Sequence, residues 1–158
     1  MKKGLRTALA AVILAVVLIS LSIHFYRRWD ASVIHVSGKT IPVSERYVDL
    51  SNRDHLSLVP LKRLASVQAL NLGQCNIPDL SELQGLDTLN ELYLNDNKIK
   101  DISPLSELRA LTTLDIRGNQ VVDLAPLAEM GAMSILNLSG NPIHDLTPLS
   151  SHARSLEA

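Results

Sequence analysis

Residues 92–105 read LYLNDNKIKDISPL, residues 114–127 read LDIRGNQVVDLAPL, and residues 136–149 read LNLSGNPIHDLTPL. Each string starts 22 positions after the one before, with no gap or insertion. Leu92, Leu94, Asn97, Ile99, Ile102 and Leu105 thus recur as Leu114, Ile116, Asn119, Val121, Leu124 and Leu127, and again as Leu136, Leu138, Asn141, Ile143, Leu146 and Leu149. A fixed period of this length is the mark of a solenoid, in which no unit can bury its apolar edge alone and stacked units share one core.

The unit itself has a physical reading. An L-x-L step is a short strand whose alternate residues point to opposite faces. The Asn follows where the chain must turn, and its amide can bond backbone groups that the turn leaves unpaired. The second half is too short for an ordinary helix with two loops, and Pro104, Pro126 and Pro148 restrict its backbone.

The pattern resembles the leucine-rich repeat signature L-x-x-L-x-L-x-x-N-x-I, carried here by Leu89, Leu92, Leu94, Asn97 and Ile99. The short unit with D-[IL]-x-P-L at Asp101–Leu105, Asp123–Leu127 and Asp145–Leu149 resembles the 22-residue subclass seen in bacterial internalins and in a eukaryotic regulator of protein phosphatase. The resemblance covers residues 47–150. It implies an α/β-type solenoid: a right-handed, curved leucine-rich repeat stack with a parallel concave sheet and short 3-10 or irregular convex segments. It does not specify a function, because function on such a frame sits in surface residues.

Working outward, Val48, Leu50, Leu58 and Leu61 fall 22 positions before Leu70, Leu72, Leu80 and Leu83, so a degenerate first repeat precedes a second, giving about five repeats over 47–149. Arg53 and His55 replace the Asn and Ile in the first. Cys75 takes the ladder position in the second, in line with Asn97, Asn119 and Asn141, and reads as a buried structural thiol. Met130 and Met133 are expected to loosen the last repeat. Residues 29–46 read as a linker and an N-terminal cap, with β-prone runs around Ser37-Gly38-Lys39 forming a hairpin. Residues 150–158 supply only Leu156 as a large apolar group. Such a thin cap leaves the apolar edge around Ile135, Leu138 and Leu146 as a surface for self-association or docking.

Residues 7–26 contain no Asp, Glu, Lys or Arg. Twenty residues of helix span roughly 30 Å, the thickness of a bilayer's hydrocarbon core. The run is longer than a cleavable signal core. It ends in bulky residues, and Tyr26 and Trp29 beside Arg27 and Arg28 suit an interfacial anchor. Residues 1–28 therefore read as a signal anchor, one transmembrane helix preceding the solenoid. Lys2, Lys3 and Arg6 on the amino-terminal flank favour that end inside, which puts the repeats on the extracytoplasmic side of a bacterial inner membrane. Cleavage near Ser20-Leu21-Ser22 is the competing reading and would make a secreted, internalin-like ligand.

After Arg28 the chain carries ten basic and sixteen acidic residues, a net charge of −6. That argues against a nucleic-acid groove and for a neutral or basic protein partner. Outward-pointing strand residues form three columns: Tyr47, Ala69, Glu91, Thr113, Ile135; Asp49, Asn71, Tyr93, Asp115, Asn137; and Ser51, Gly73, Asn95, Arg117, Ser139. Glu91, Tyr93, Asn95, Asp115, Arg117 and Asn137 are the candidate protein-binding residues. Tyr93 and Arg117 lead, since Tyr and Arg are enriched at interface hot spots. Five strands about 4.8 Å apart give a face roughly 20–25 Å wide, suited to a peptide or a small domain.

Nothing orders a catalytic set. No nucleophile elbow, P-loop or Rossmann glycine pattern is present, and no cofactor is expected. Asp79, Asp101, Asp123 and Asp145 recur one per coil and read as turn-forming groups. A calcium site on them would need six to eight converging oxygens and has Lys98, Lys100, Arg109 and His144 against it. No metal, no enzyme activity and no nucleic-acid partner are expected.

Overall fold

The structure, a computed structural model, describes residues 32–152. The anchor expected at 1–28 and most of the tail lie outside the described residues. Among the described residues no helix is long and apolar enough to cross a membrane.

An antiparallel hairpin comes first, β1 (Val33–Val36) with β2 (Lys39–Pro42). Its turn residues Ser37 and Gly38 both have positive φ, 46° and 79°, which suits the right-handed twist of a tight hairpin. Ile34, Val36 and Ile41 are buried. The hairpin is also tied to the first coil by two side chains. The Arg53 guanidinium donates to the Ser37 carbonyl at 3.0 Å, and Lys39 Nζ donates to the Asp49 carbonyl at 3.0 Å.

Five strands follow at the 22-residue period: β3 (Tyr47–Asp49), β4 (Ala69–Asn71), β5 (Glu91–Tyr93), β6 (Thr113–Asp115) and β7 (Ile135–Asn137). They form one parallel sheet in chain order, and the register pairs equivalent residues: Val48 with Leu70, Leu70 with Leu92, Leu92 with Leu114, Leu114 with Leu136. Each return path includes a 3-10 turn, at Val59–Arg63, Ser81–Leu83, Ser103–Glu107, Ala125–Leu127 and Thr147–His152. Proline opens three of the first four, where its fixed φ suits a tight helical start and its missing N–H is not needed. Only turns this short fit the 19 residues between strands.

The core is a continuous column of Leu, Ile and Val shared by successive coils. It extends into the degenerate first repeat, where Val48, Leu50, Leu58 and Leu61 are all buried. Met130 and Met133 are both buried, 1% exposed, so they fill the core and do not loosen it. The loosening comes later. Leu136, Leu138, Ile143 and Leu149 are only partly buried, and Ile135 and Leu146 stand 62% and 61% exposed.

Candidate interaction face

Three side-chain ladders shape the coils, and they decide which residues are left for recognition. The first is internal. Asn97 Nδ2 donates to the carbonyls of Leu72 and Leu94, both at 2.9 Å, while its Oδ1 accepts from the N–H groups of Cys75 and Ile77. Asn119 repeats this on Leu94, Ile116 and Ile99, and Asn141 on Ile116, Leu138 and Val121. One buried amide thus satisfies donors and acceptors in two coils, groups that would cost about 1–3 kcal/mol each if orphaned.

Cys75 performs half of that work. Its Sγ contacts the Leu50 carbonyl at 3.1 Å and the Gly73 carbonyl at 3.4 Å. Burial pushes its thiol above the usual cysteine range, the opposite of an activated nucleophile. Sulfur offers no amide oxygen to pin the turn of the coil before it. There His55 takes φ +57° where its repeat-mates are an isoleucine or valine. Beside it lies a cleft of about 420 Å³ lined by residues including Asp54, His55, Leu58, Cys75, Ile77 and Lys98. Its two nearest carboxylates are engaged: Asp54 bonds Asn76 Nδ2, and Asp79 accepts from Ser81.

The second ladder is the aspartate column. Asp79, Asp101, Asp123 and Asp145 each accept the N–H two residues on, at 2.8–2.9 Å, starting the turn before the 3-10 segment. Bonds from that residue favour the carboxylate form: the hydroxyl and then the N–H of Ser103 and Thr147 hold Asp101 and Asp145 below the usual aspartate range, and the N–H and then the hydroxyl of Ser81 hold Asp79 there. Among the described residues no group of three or more His, Cys, Asp or Glu is placed to hold a metal ion.

The third ladder lies on the sheet's solvent face, within the middle outward column. Asp49, Asn71, Asp115 and Asn137 each accept the N–H of the residue two on, that of Ser51, Gly73, Arg117 and Ser139, at 3.0–3.2 Å. These four close the strand ends with a local turn. The next-but-two residues Asn52, Gln74, Asp96, Gly118 and Gly140 then pass through the left-handed region at φ between 56° and 70°. Gly118 is needed there for space as well as for φ: a Cβ on it would collide with the Asp96 carboxylate.

Asp115 and Asn137 were expected to be recognition residues, yet their acceptor oxygens are already used for folding. Asn95 is also partly committed, its Nδ2 donating to Asp96 Oδ2 at 2.9 Å. It lies across the end of β4, where a Cβ on Gly73 would sit 2.6 Å from its Oδ1. Arg117 is half-exposed and holds only a long 3.7 Å contact from Nε to Asp115 Oδ2. A surface pair at that separation contributes little.

Tyr93 is the exception in the middle column. Its side chain cannot accept from the Asn95 N–H as its four column-mates do. The phenol instead donates to Glu91 Oε2 at 2.9 Å. That bond, partial burial and the charges of Glu91, Tyr47 and Asp115 raise the phenol above the usual tyrosine range. Tyr47, two strands away, is 57% exposed. Sequence reasoning passed over Tyr47, although its place at the head of the first column, in line with Glu91, was a usable signal.

Comparison with known proteins agrees with this architecture. A family model for leucine-rich repeats matches residues 65–107 and 87–129 in two overlapping placements. Among solved structures, the chain is similar to internalin C2 of Listeria monocytogenes, with 40% identity and a TM-score of 0.59 over 60% of this chain and 42% of that one. It is also similar to a leucine-rich repeat protein of Leptospira interrogans, with 25% identity and a TM-score of 0.57 over 63% of this chain and 26% of that one. The chain therefore spans less than half the length of either structure. Comparison with curated protein sequences gives no match. The chain carries leucine-rich repeats built as a solenoid on a parallel sheet. Such domains generally mediate protein–protein interaction, and this fold is typically non-enzymatic.

Proposed function

We propose that this leucine-rich repeat chain is a membrane-tethered protein-binding module. The solvent face of its sheet, centred on β5, engages a protein or peptide partner. The supporting observation is the substitution of Tyr93 into a column whose other four members hold strand-end turns. A position where a structural rule is broken without local compensation is where function is expected. Tyrosine supplies a large, rigid contact at low entropic cost, and Arg117 beside it adds a loosely held guanidinium. Glu91, Asn95, Asp115 and Asn137 complete the face, each with a side-chain atom already engaged.

The tether rests on the sequence: residues 7–26 without a charged side chain, then Tyr26 and Trp29 beside two arginines. It puts the repeats on the extracytoplasmic side and confines partner search to the membrane surface. A photo-crosslinking phenylalanine analogue in place of Tyr93 or of Glu91, in the full chain expressed in cells, tests both parts. Adducts of one discrete mass should form from positions 93 and 91 and not from Gln120, and should pellet with carbonate-washed membranes. Equal adduct from Gln120 removes the face assignment, and adducts in the carbonate supernatant remove the tether.

A further inference from the structure

The carboxylate of Glu91 has one phenol bonded to it and, among the described residues, no cation paired with it. Its Oε2 accepts from the Tyr93 phenol, and among the described residues no basic group lies within 4 Å of it; the ion pairs there are Lys62–Glu82 and Arg117–Asp115. Register places Ala69 between Tyr47 and Glu91, with Asn71 beside Tyr93. Strands about 4.8 Å apart put the backbones of Tyr47 and Glu91 about 10 Å apart. Ala69, half-buried, is the one residue of that row between them, which leaves a short trough at Ala69; it closes before Gly73, which is buried with the Asn95 amide lying over it. On this part of the face Glu91 and Asp115 outnumber the single Arg117, whereas Asp49 at the edge already has Lys39 and Arg53 near it.

From this we infer that the face reads a basic side chain of its partner, a lysine or arginine on an extended segment laid over the trough at Ala69. The aliphatic stem crosses Ala69, the charged head meets the free oxygen of Glu91, and the rings of Tyr47 and Tyr93 flank it. A cation near an aromatic face gains about 0.5–1 kcal/mol at exposed sites and more as water is excluded, and pairing with a carboxylate adds direction. This inference rests on the reading of the sheet face as the binding surface and adds what that surface selects.

The test uses the full chain in zwitterionic detergent, with the Ala69 methyl, the tyrosine rings and the backbone amides followed by NMR. The probes are a capped heptapeptide alternating lysine with serine and its glutamate counterpart. The lysine peptide should shift Ala69, Tyr47 and Tyr93 signals saturably, and the glutamate peptide should not. Glu91→Gln should weaken binding at least tenfold. Ala69→Leu, which plugs the trough at a half-exposed site, should abolish it with the melting curve intact, while Gln120→Ala should bind as the parent does. Saturable shifts confined to Arg117 and Asn137 would overturn the trough and leave the face reading standing. Shifts only off the sheet face would overturn both. Equal binding of the glutamate peptide, unchanged affinity in Glu91→Gln, or no shift at millimolar lysine peptide would each overturn the inference.

Discussion

The third strand and its neighbours are built from the same repeat and end differently. In β4, β6 and β7 the middle outward residue is Asn71, Asp115 or Asn137, and its side-chain oxygen accepts a backbone N–H two residues on. In β5 the residue is Tyr93, and the bond is absent. Both versions sit on the same buried floor, since Leu92, Leu94, Leu114 and Ile116 are all fully buried. The difference is therefore confined to the surface. It teaches that a solenoid's exposed face is not uniformly available for binding. Most of its polar groups fasten the chain's own turns, and a residue becomes available for a partner where that fastening is given up.

The largest effect expected is internal and lies outside that contrast, which makes it the reference. Asn119→Ala removes three donor bonds, one of them shared, and one acceptor bond from a side chain only 6% exposed. It should cost about 1–3 kcal/mol in a denaturant titration. A cost under about 0.5 kcal/mol would mean that the amide ladder contributes little.

Next comes the surface turn itself. Asp115→Ala removes the acceptor for the Arg117 N–H and should cost about 0.5–1.5 kcal/mol, whereas Glu91→Ala, which fastens no turn, should stay within about 0.5 kcal/mol. Equal costs would erase the distinction between fastened and available residues.

The turns should also show in the pH dependence of stability. Asp49, Asp79, Asp101 and Asp145 all have folded carboxyls held below the usual aspartate range, chiefly by bonds from the residue two on. A depressed folded pKa contributes stability above the unfolded value of about 3.8, and that contribution is lost as pH falls through the folded values. The melting temperature should therefore hold from pH 7 to about pH 5 and drop below about pH 4. Replacing Asp79, Asp101 and Asp145 together by Asn keeps an acceptor oxygen and removes the titration. That variant should lose less on acidification, and an unchanged acid slope would show that these bonds do not set it.

Much of the architecture was legible because the repeat is its own alignment. The 22-residue register alone sets which leucines face inward and puts Tyr47, Ala69 and Glu91 in one row, as the strand pairing has them. The N-terminal hairpin could be read from Ser37-Gly38. The candidate face was legible in position but not in state. Alternation showed that Asp115 and Asn137 point outward; it could not show that their oxygens turn back onto Arg117 and Ser139, since that depends on the backbone of the next two residues. The cleft beside Cys75 was also hidden, because its shape depends on the backbone path of the first coil, with His55 at positive φ, which the period does not show. Nor did the period show that packing slackens at Ile135 and Leu146 and not at the methionines.

The central claim is that position 93 gives up a turn-fastening bond in exchange for a contact, and Tyr93→Asn tests it with one substitution and two readouts. Asn occupies the same column in β4 and β7, so the variant should form the missing bond to the Asn95 N–H. Its denaturant midpoint should rise, by about 0.5 kcal/mol in stability, near the lower range for a net hydrogen bond. In the same variant, a photo-crosslinker at position 91 should yield much less partner adduct. A midpoint that falls by more than about 1 kcal/mol, or an adduct yield equal to the parent's, would contradict the account.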